Sequence, residues 1–293
     1  MKRGAAAFER AIQTVFLLLG LTTVGCVLVI TIYLIVSGLP AIGQIGLKEF
    51  LLGTRWDAAA AEPSYGILAL ALSSVYATVG ALALGVPIGF FTAVYLARLA
   101  PRALRVPVEQ GVSLLAGIPS VVYGLVGMRV LVPGIRQLFN LPDGACLLAA
   151  IVVLAVMVLP SVIRVCITAL EAVPEEYVQA SLALGATPVE TCFRVCVPAA
   201  GSGIATAVVL GAGRAIGEAM AVMMVCGSVA NMPDSPFQSV HLLTTIIGSE
   251  MAYSAGLQRQ ALLSVGLVLF FFILLLNVAL NRIMKGGCRR EKA

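Results

Sequence analysis

Two residues with chemical potential sit where a chain does not place charge without compensation. Arg214 and Glu218 lie deep in an apolar stretch covering roughly 199–229. On insertion scales each such group costs about 2.5–3.5 kcal/mol at the bilayer centre. If the stretch is one helix, the i, i+4 spacing puts both on one face, where they neutralise each other and turn away from lipid. A guanidinium is a planar fork of donors that fits a tetrahedral oxyanion bidentately. The pair therefore predicts Arg214 as a transient anion ligand and Glu218 as its resting counter-ion. The plainer alternative is a buried salt bridge that only fixes helix packing. In another apolar stretch, Pro119 removes a backbone donor and frees the carbonyl of Leu115. Ser120 and Tyr123 beside it would add hydroxyls to the same pathway, or the site is a simple kink.

Other chemistry is missing from the sequence. None of the four lysines is followed by Ser or Thr, so there is no P-loop for ATP. The seven cysteines (26, 146, 166, 192, 196, 226, 288) form no CxxC pair, and His241 is the single histidine. No metal, no cofactor and no catalytic residue is expected. The thiols read as small buried hydrophobes, with Cys192 and Cys196 reduced. His241 reads as a loop residue, and Met220, Met223 and Met224 as packing.

The elements that must position Arg214 and Glu218 follow from composition. Of 293 residues, 60% are apolar and 11% charged, with a mean hydropathy of +1.03. That leaves too little polar surface for a soluble globule, and the charge of +5 is too scattered for a nucleic-acid patch. Six stretches are long enough to cross a bilayer: about 11–36, 66–97, 108–132, 146–170, 199–229 and 261–284. The first exceeds a signal-peptide core and reads as a retained anchor. The fold class is thus an all-α membrane protein with six transmembrane helices in a single domain, residues 1–293.

With both termini in the cytoplasm, thirteen Lys and Arg residues fall inside (Lys2, Arg3, Arg10, Arg98, Arg102, Arg105, Arg164, Arg194, Arg282, Lys285, Arg289, Arg290, Lys292). Five fall outside: Lys48, Arg55, Arg129, Arg136 and Arg259. Arg164 lies near a span end and is expected to reach the interface. Trp56 and Tyr65, in the outer segment 37–65, suit a membrane surface. Residues 230–260 would hold a short surface or re-entrant helix. In the apolar stretch at 199–229, Gly203, Ala207, Gly211, Ala215 and Ala219 form a small-residue row that lets another helix approach. That face is expected at an interface with a second membrane subunit.

The cytosolic segment 171–198 reads as a helical hairpin. Pro174 and the pair Glu175 and Glu176 suit a helix start. Gly185 can end that helix with a left-handed residue, and Thr187-Pro188 supplies an N-cap and first turn for a second helix. Tyr177, Leu182 and Leu184 leave an apolar surface for a partner, or for the membrane surface.

This segment resembles the EAA loop of ABC-importer permeases, through Gln179-Ala180-Ser181, Gly185, Val195 and Val197-Pro198. Gln179 stands where the family has an acid. Two further blocks, Leu115 to Gly124 and Gly213-Arg214-Ala215-Ile216-Gly217-Glu218-Ala219-Met220-Ala221-Val222, are similar to signatures of phosphate-specific permeases of the Pst type. The Glu-Ala-Met-Ala-Val run and Trp56-Asp57 resemble the PstC-like subunit more than PstA. The resemblance implies a type I (MetI-like) permease core at about 66–284 with an extra N-terminal helix at about 11–36. It implies ATPase coupling through Gln179, Ala180, Ser181 and Gly185 of the hairpin. The implied partners are a sibling PstA-like permease, a cytosolic ATPase dimer and a periplasmic phosphate-binding protein. The implied setting is a bacterial inner membrane, with transport by alternating access. Two rivals stay open on the residues: another oxyanion such as sulfate or molybdate, and an ion-coupled secondary transporter using Glu218.

Overall fold

Prolines set where this chain departs from straight helices. The computed structural model describes residues 2–290. The side chains of Lys2, Arg3, Arg10, Lys285, Cys288, Arg289, Arg290 and Lys292, used above for charge and cysteine arguments, lie outside those described. The long N-terminal helix α1 (Lys2–Ile45) is followed by a short α2 (Leu47–Leu52). A two-residue antiparallel ladder comes next, β1 (Trp56–Asp57) with β2 (Ser64–Tyr65), pairing Trp56 with Tyr65. Then come α3 (Leu68–Val94), α4 (Arg102–Gly117), α5 (Ser120–Val126), α6 (Val132–Leu138) and α7 (Leu147–Glu171). The hairpin is α8 (Glu175–Ala183) and α9 (Pro188–Thr191), continued by α10 (Val197–Ala199). The chain finishes with α11 (Gly201–Gly217), α12 (Met220–Met223), α13 (Leu243–Glu250) and α14 (Gly256–Arg290).

Three wide π turns, Tyr95–Leu99, Gly127–Leu131 and Cys192–Cys196, interrupt the helices. Each ends two residues before a proline: Pro101, Pro133 and Pro198. A proline cannot donate to the carbonyl four residues back and crowds it. In each case the residue just before the proline donates five residues back instead, as Ala100 does to Tyr95 O at 2.7 Å. The wide turn is the local answer to the missing donor.

Among the described residues five helical runs are long and apolar enough to cross a membrane: Ile12–Ile45, Leu68–Leu99, Ser120–Leu138, Leu147–Glu171 and Gly256–Val278. A sixth forms if the pair Pro188–Ala199 and Gly201–Gly217, bent by 71°, is taken as one broken span. The third stretch differs from the sequence expectation of 108–132. Ile118 precedes Pro119 and is held extended (φ −71°, ψ 129°), so Pro119 divides two elements. α4 before it is a separate amphipathic helix, and the span begins at Ser120.

The core is built by α3 and α7 packed along each other with α11 against both. Small residues let the backbones approach: Ala77, Ala81, Ala93, Ala149, Ala155, Ala207 and Ala215 are buried. α1 lies on α14, where Ser264 donates to Gly38 O at 2.6 Å. The first half of α13 is buried rather than lying on the surface, and Leu243 N donates to Ser74 Oγ of α3 at 2.9 Å. Trp56 and Tyr65 also differ from expectation. Both are buried, edge to face with ring centroids 5.4 Å apart, and Trp56 Nε1 donates to Glu250 Oε2 at 3.1 Å. The β-ladder turns these rings onto α13 and α14, so protein satisfies them instead of lipid headgroups.

Candidate functional site

The apolar stretch holding Arg214 and Glu218 breaks between them. α11 ends at Gly217, Glu218 is extended (φ −76°, ψ 127°), and α12 restarts at Met220. The i, i+4 geometry therefore does not apply, and the expected ion pair is absent. Arg214 Nη1 instead makes a long 3.4 Å contact to the hydroxyl of Ser161 on α7. The Glu218 carboxylate turns to the other side of the break and accepts the backbone N–H of Ala221 at 3.0 Å. Its carbonyl accepts from Thr244 Oγ1 at 2.9 Å. The break is thus fastened to α13, and the two charges serve different elements.

The small-residue row of α11 has a partner, but within the same chain. Ala207, Gly211 and Ala215 are buried, and a Cβ on Gly211 would come within 2.9 Å of Val158 Cγ1 of α7. Ala219 lies beyond the helix. Arg214 occupies the adjacent exposed face. The row therefore mounts α11 on α7 and leaves the guanidinium on an open side of the chain.

Ser120 opens α5 and is half-buried. Tyr123 follows on the same turn and donates its hydroxyl to Leu115 O at 2.7 Å. That carbonyl, freed by Pro119, also accepts from Ile118 N at 3.3 Å. The phenol thus ties the α4–α5 elbow and lies within electrostatic reach of Arg214. Next to it, a Cβ on Gly124 would fall 2.9 Å from the Ala221 Cα. Only glycine lets α5 cross α12 that closely. The break, Tyr123 and Arg214 are therefore neighbours, while the large 930 Å3 groove beside Tyr123 is lined almost wholly by apolar groups of α5, α6 and α7.

The hairpin is formed as its residues dictate. Pro174 stands at the N-cap of α8, and Glu175 and Glu176 fill its first turn. Gly185 takes φ +87° with nothing near its side. Thr187 caps α9 in a reciprocal box with Glu190. Gln179 and Ala180 are exposed, whereas Ser181 is half-buried and shares a 2.9 Å hydrogen bond with Thr191 that locks the two helices together. Tyr177 and Leu184 are exposed, Leu184 by 90%. That is a small apolar surface with no partner among the described residues.

One residue that the sequence did not single out holds this hairpin. Arg98, in the π turn after α3, donates to Leu170 O at 2.5 Å and Val173 O at 3.3 Å, and pairs with Glu175 at 3.5 Å. It caps the end of α7, where carbonyls lack helical partners, and ties that end to α8. Ser161 was missed as well. Nothing in a Pro160-Ser161 step marks a hydroxyl as an arginine's partner before helix packing is known.

Among the described residues no group of His, Cys, Asp and Glu could hold a metal, and Cys192 and Cys196 are buried free thiols. His241 is buried with Nδ1 3.3 Å from Thr245 Oγ1, and burial pushes its pKa below the usual value.

Residues 85–286 match the model of a family described as binding-protein-dependent transport system inner membrane component. The chain belongs to that family. This permease family member is 39% identical to the probable ABC transporter permease protein YqgH of Bacillus subtilis, over 86% of this chain and 84% of that protein. It is 32% identical to the phosphate transport system permease protein PstC of Haemophilus influenzae, over 87% and 86%. An inward-facing MetNI methionine ABC transporter structure superposes on this permease with a TM-score of 0.60, covering 73% of this chain and 93% of that one at 23% identity. The likeness to MetNI concerns fold alone. The chain is accordingly a multi-pass component of the inner membrane and a transport subunit of the ABC-importer type. An ion-coupled secondary transporter is not favoured.

Proposed function

We propose that this chain is one half of the membrane pathway of an ATP-driven importer of inorganic phosphate, in the PstC-like role. The observation that carries the reading is similarity to phosphate permeases along nearly the whole chain, as in the 31% identity to PstC 2 of Mycobacterium tuberculosis over 97% of this chain. The chemistry agrees with it. Arg214 stands on an exposed face, at a helix break, with a neutral hydroxyl and no carboxylate as its partner. A dehydrated oxyanion would find a fork of donors there.

In this reading residues 1–293 act as a single permease domain with both termini and the α8–α9 hairpin in the cytosol. The sibling permease supplies the opposite wall of the passage. A cytosolic ATPase dimer grips the hairpin through the surface around Gln179, Ala180, Ser181 and Gly185, and a periplasmic binding protein delivers phosphate at the other end. Hydrolysis belongs to the ATPase subunits. Nucleotide shifts the pathway between inward- and outward-open only if the hairpin binds the two ATPase states with different affinity. Arg214 binds the anion in passing. Glu218 keeps the helix broken at that level, and Ser120 and Tyr123 border the pathway at the elbow.

The test is ATP-driven uptake of labelled phosphate in proteoliposomes holding the complete complex, with unlabelled sulfate or phosphate as competitor. Unlabelled phosphate should suppress the signal and sulfate should not. Equal competition by sulfate would give the pathway a different cargo. Uptake driven by an ion gradient without ATP would overturn the ABC mechanism for this subunit.

A further inference from the structure

A second arginine repeats the arrangement at Arg214, one helical turn closer to the hairpin. On α7, Ser161, Arg164 and Thr168 follow at three- and four-residue spacing and so share a face. Arg164 lies about 4.5 Å further along the axis than Ser161. Arg164 Nη2 donates sideways to Ser113 Oγ of α4 at 2.7 Å.

The charge around it is arranged to leave Arg164 without a carboxylate. Glu109 and Glu171 face the same 270 Å3 cavity, yet both are engaged by Arg105, whose Nε meets Glu109 at 2.6 Å and whose Nη2 meets Glu171. Those bonds hold the Arg105 guanidinium more firmly protonated than usual. On its other side Arg164 lines a second cavity of 370 Å3 between α7 and α11, with Thr168, Gly203 and Thr206. On α11, Thr206 is eight residues from Arg214, on the same side of the helix. Ser161, the partner of Arg214, and Arg164 thus share one face of α7.

Both guanidiniums rest on a serine hydroxyl. Ser113 Oγ donates to Glu109 O at 2.8 Å while accepting from Arg164, so it is a neutral acceptor. A guanidinium makes two parallel bonds to an oxyanion of opposite charge, whereas a serine hydroxyl offers it one neutral acceptor. An arriving oxyanion would therefore displace the serine, and the serine would take the guanidinium back when the anion leaves.

We propose that Arg164 is a second anion-binding station, where a tetrahedral oxyanion handed on from Arg214 is held on its way to the hairpin end. The inference rests on the phosphate-pathway reading given above. It adds a site to that pathway. Two stations along one face of α7 let the anion move between comparable partners, with no single tight site to trap it.

The experiment uses the complete reconstituted complex with labelled inorganic phosphate, comparing Arg164→Gln, Arg164→Lys, Ser113→Ala and Arg214→Gln. Arg164→Gln should lower the maximal uptake rate roughly tenfold while half-saturation outside stays unchanged, because loading precedes this step. Arg164→Lys, which keeps the charge but not the fork, should recover part of the rate, and Ser113→Ala, which removes the resting partner, should lower it severalfold in an assembled complex. Full-rate uptake by Arg164→Gln overturns the station. So does an Arg164→Lys variant no faster than Arg164→Gln, since an anion station depends on the charge. If Arg164→Gln does not assemble, Arg164→Lys decides alone: partial uptake upholds the station, and no uptake by an assembled complex rejects it. Normal uptake by Arg214→Gln would instead sink the underlying pathway reading, whatever Arg164 does.

Discussion

At the scale of single residues, the carboxylate of Glu218 does structural work that its spacing from Arg214 concealed. It accepts the Ala221 N–H at the start of α12, as a capping side chain does. Glu218→Gln keeps an acceptor oxygen at that point and should leave assembly and thermal stability near wild type. Glu218→Ala should cost about 1 kcal/mol, read as a lowered midpoint in thermal unfolding of the purified complex. Equal stability of the two variants would contradict the capping role. His241 offers a second check. Burial lowers its pKa, so the folded protein holds it neutral more strongly than the unfolded chain does. Its contribution is complete above the unfolded value of about 6.5 and is lost as pH falls through the lower folded value. Acidification from neutrality should destabilise wild type more than a His241→Asn variant. An identical pH response in the two proteins would refute the assignment.

At the scale of elements, the clasp at Arg98 joins three of them. Its guanidinium caps the end of α7 and pairs with the first turn of α8 from the π turn after α3. A push on the hairpin is therefore delivered to α3 and α7 together. Hydrogen bonds from charged groups contribute about 1.5–3 kcal/mol each. Arg98→Ala should loosen this clasp enough to separate ATP hydrolysis from transport. The complete complex would hydrolyse ATP at close to the normal rate while phosphate uptake per ATP drops severalfold. An unchanged ratio would show that the clasp carries no force.

Much of this level was legible in the sequence. Pro174, Gly185 and Thr187-Pro188 predicted the hairpin because caps and turns are local properties. The split at Pro119 and the break after Gly217 were not legible as such. An apolar run reads the same whether it is one helix or two, and only the packing of α5, α12 and α13 shows where the backbone turns.

At the scale of the whole molecule, composition and the spacing of charges were enough to indicate six crossings, because a bilayer sets the length of every span. Partnerships between distant residues were hidden. Ser161 and Arg214 are 53 positions apart, Ser113 and Arg164 are 51 apart, and no periodicity links either pair. The same holds for Trp56 and Glu250. Their meeting turned two supposed interface rings into part of the core. The picture that results is a rigid α3–α7–α11 core carrying arginines on its open side, with a hairpin fastened to one end.

The most direct measurement is ATP-driven uptake of labelled phosphate by the complete complex carrying Arg214→Gln, with assembly and ATP hydrolysis followed in the same preparation. Uptake should fall by about a hundredfold while the complex assembles and hydrolyses ATP as before. Uptake at the wild-type rate by a fully assembled complex would contradict the account.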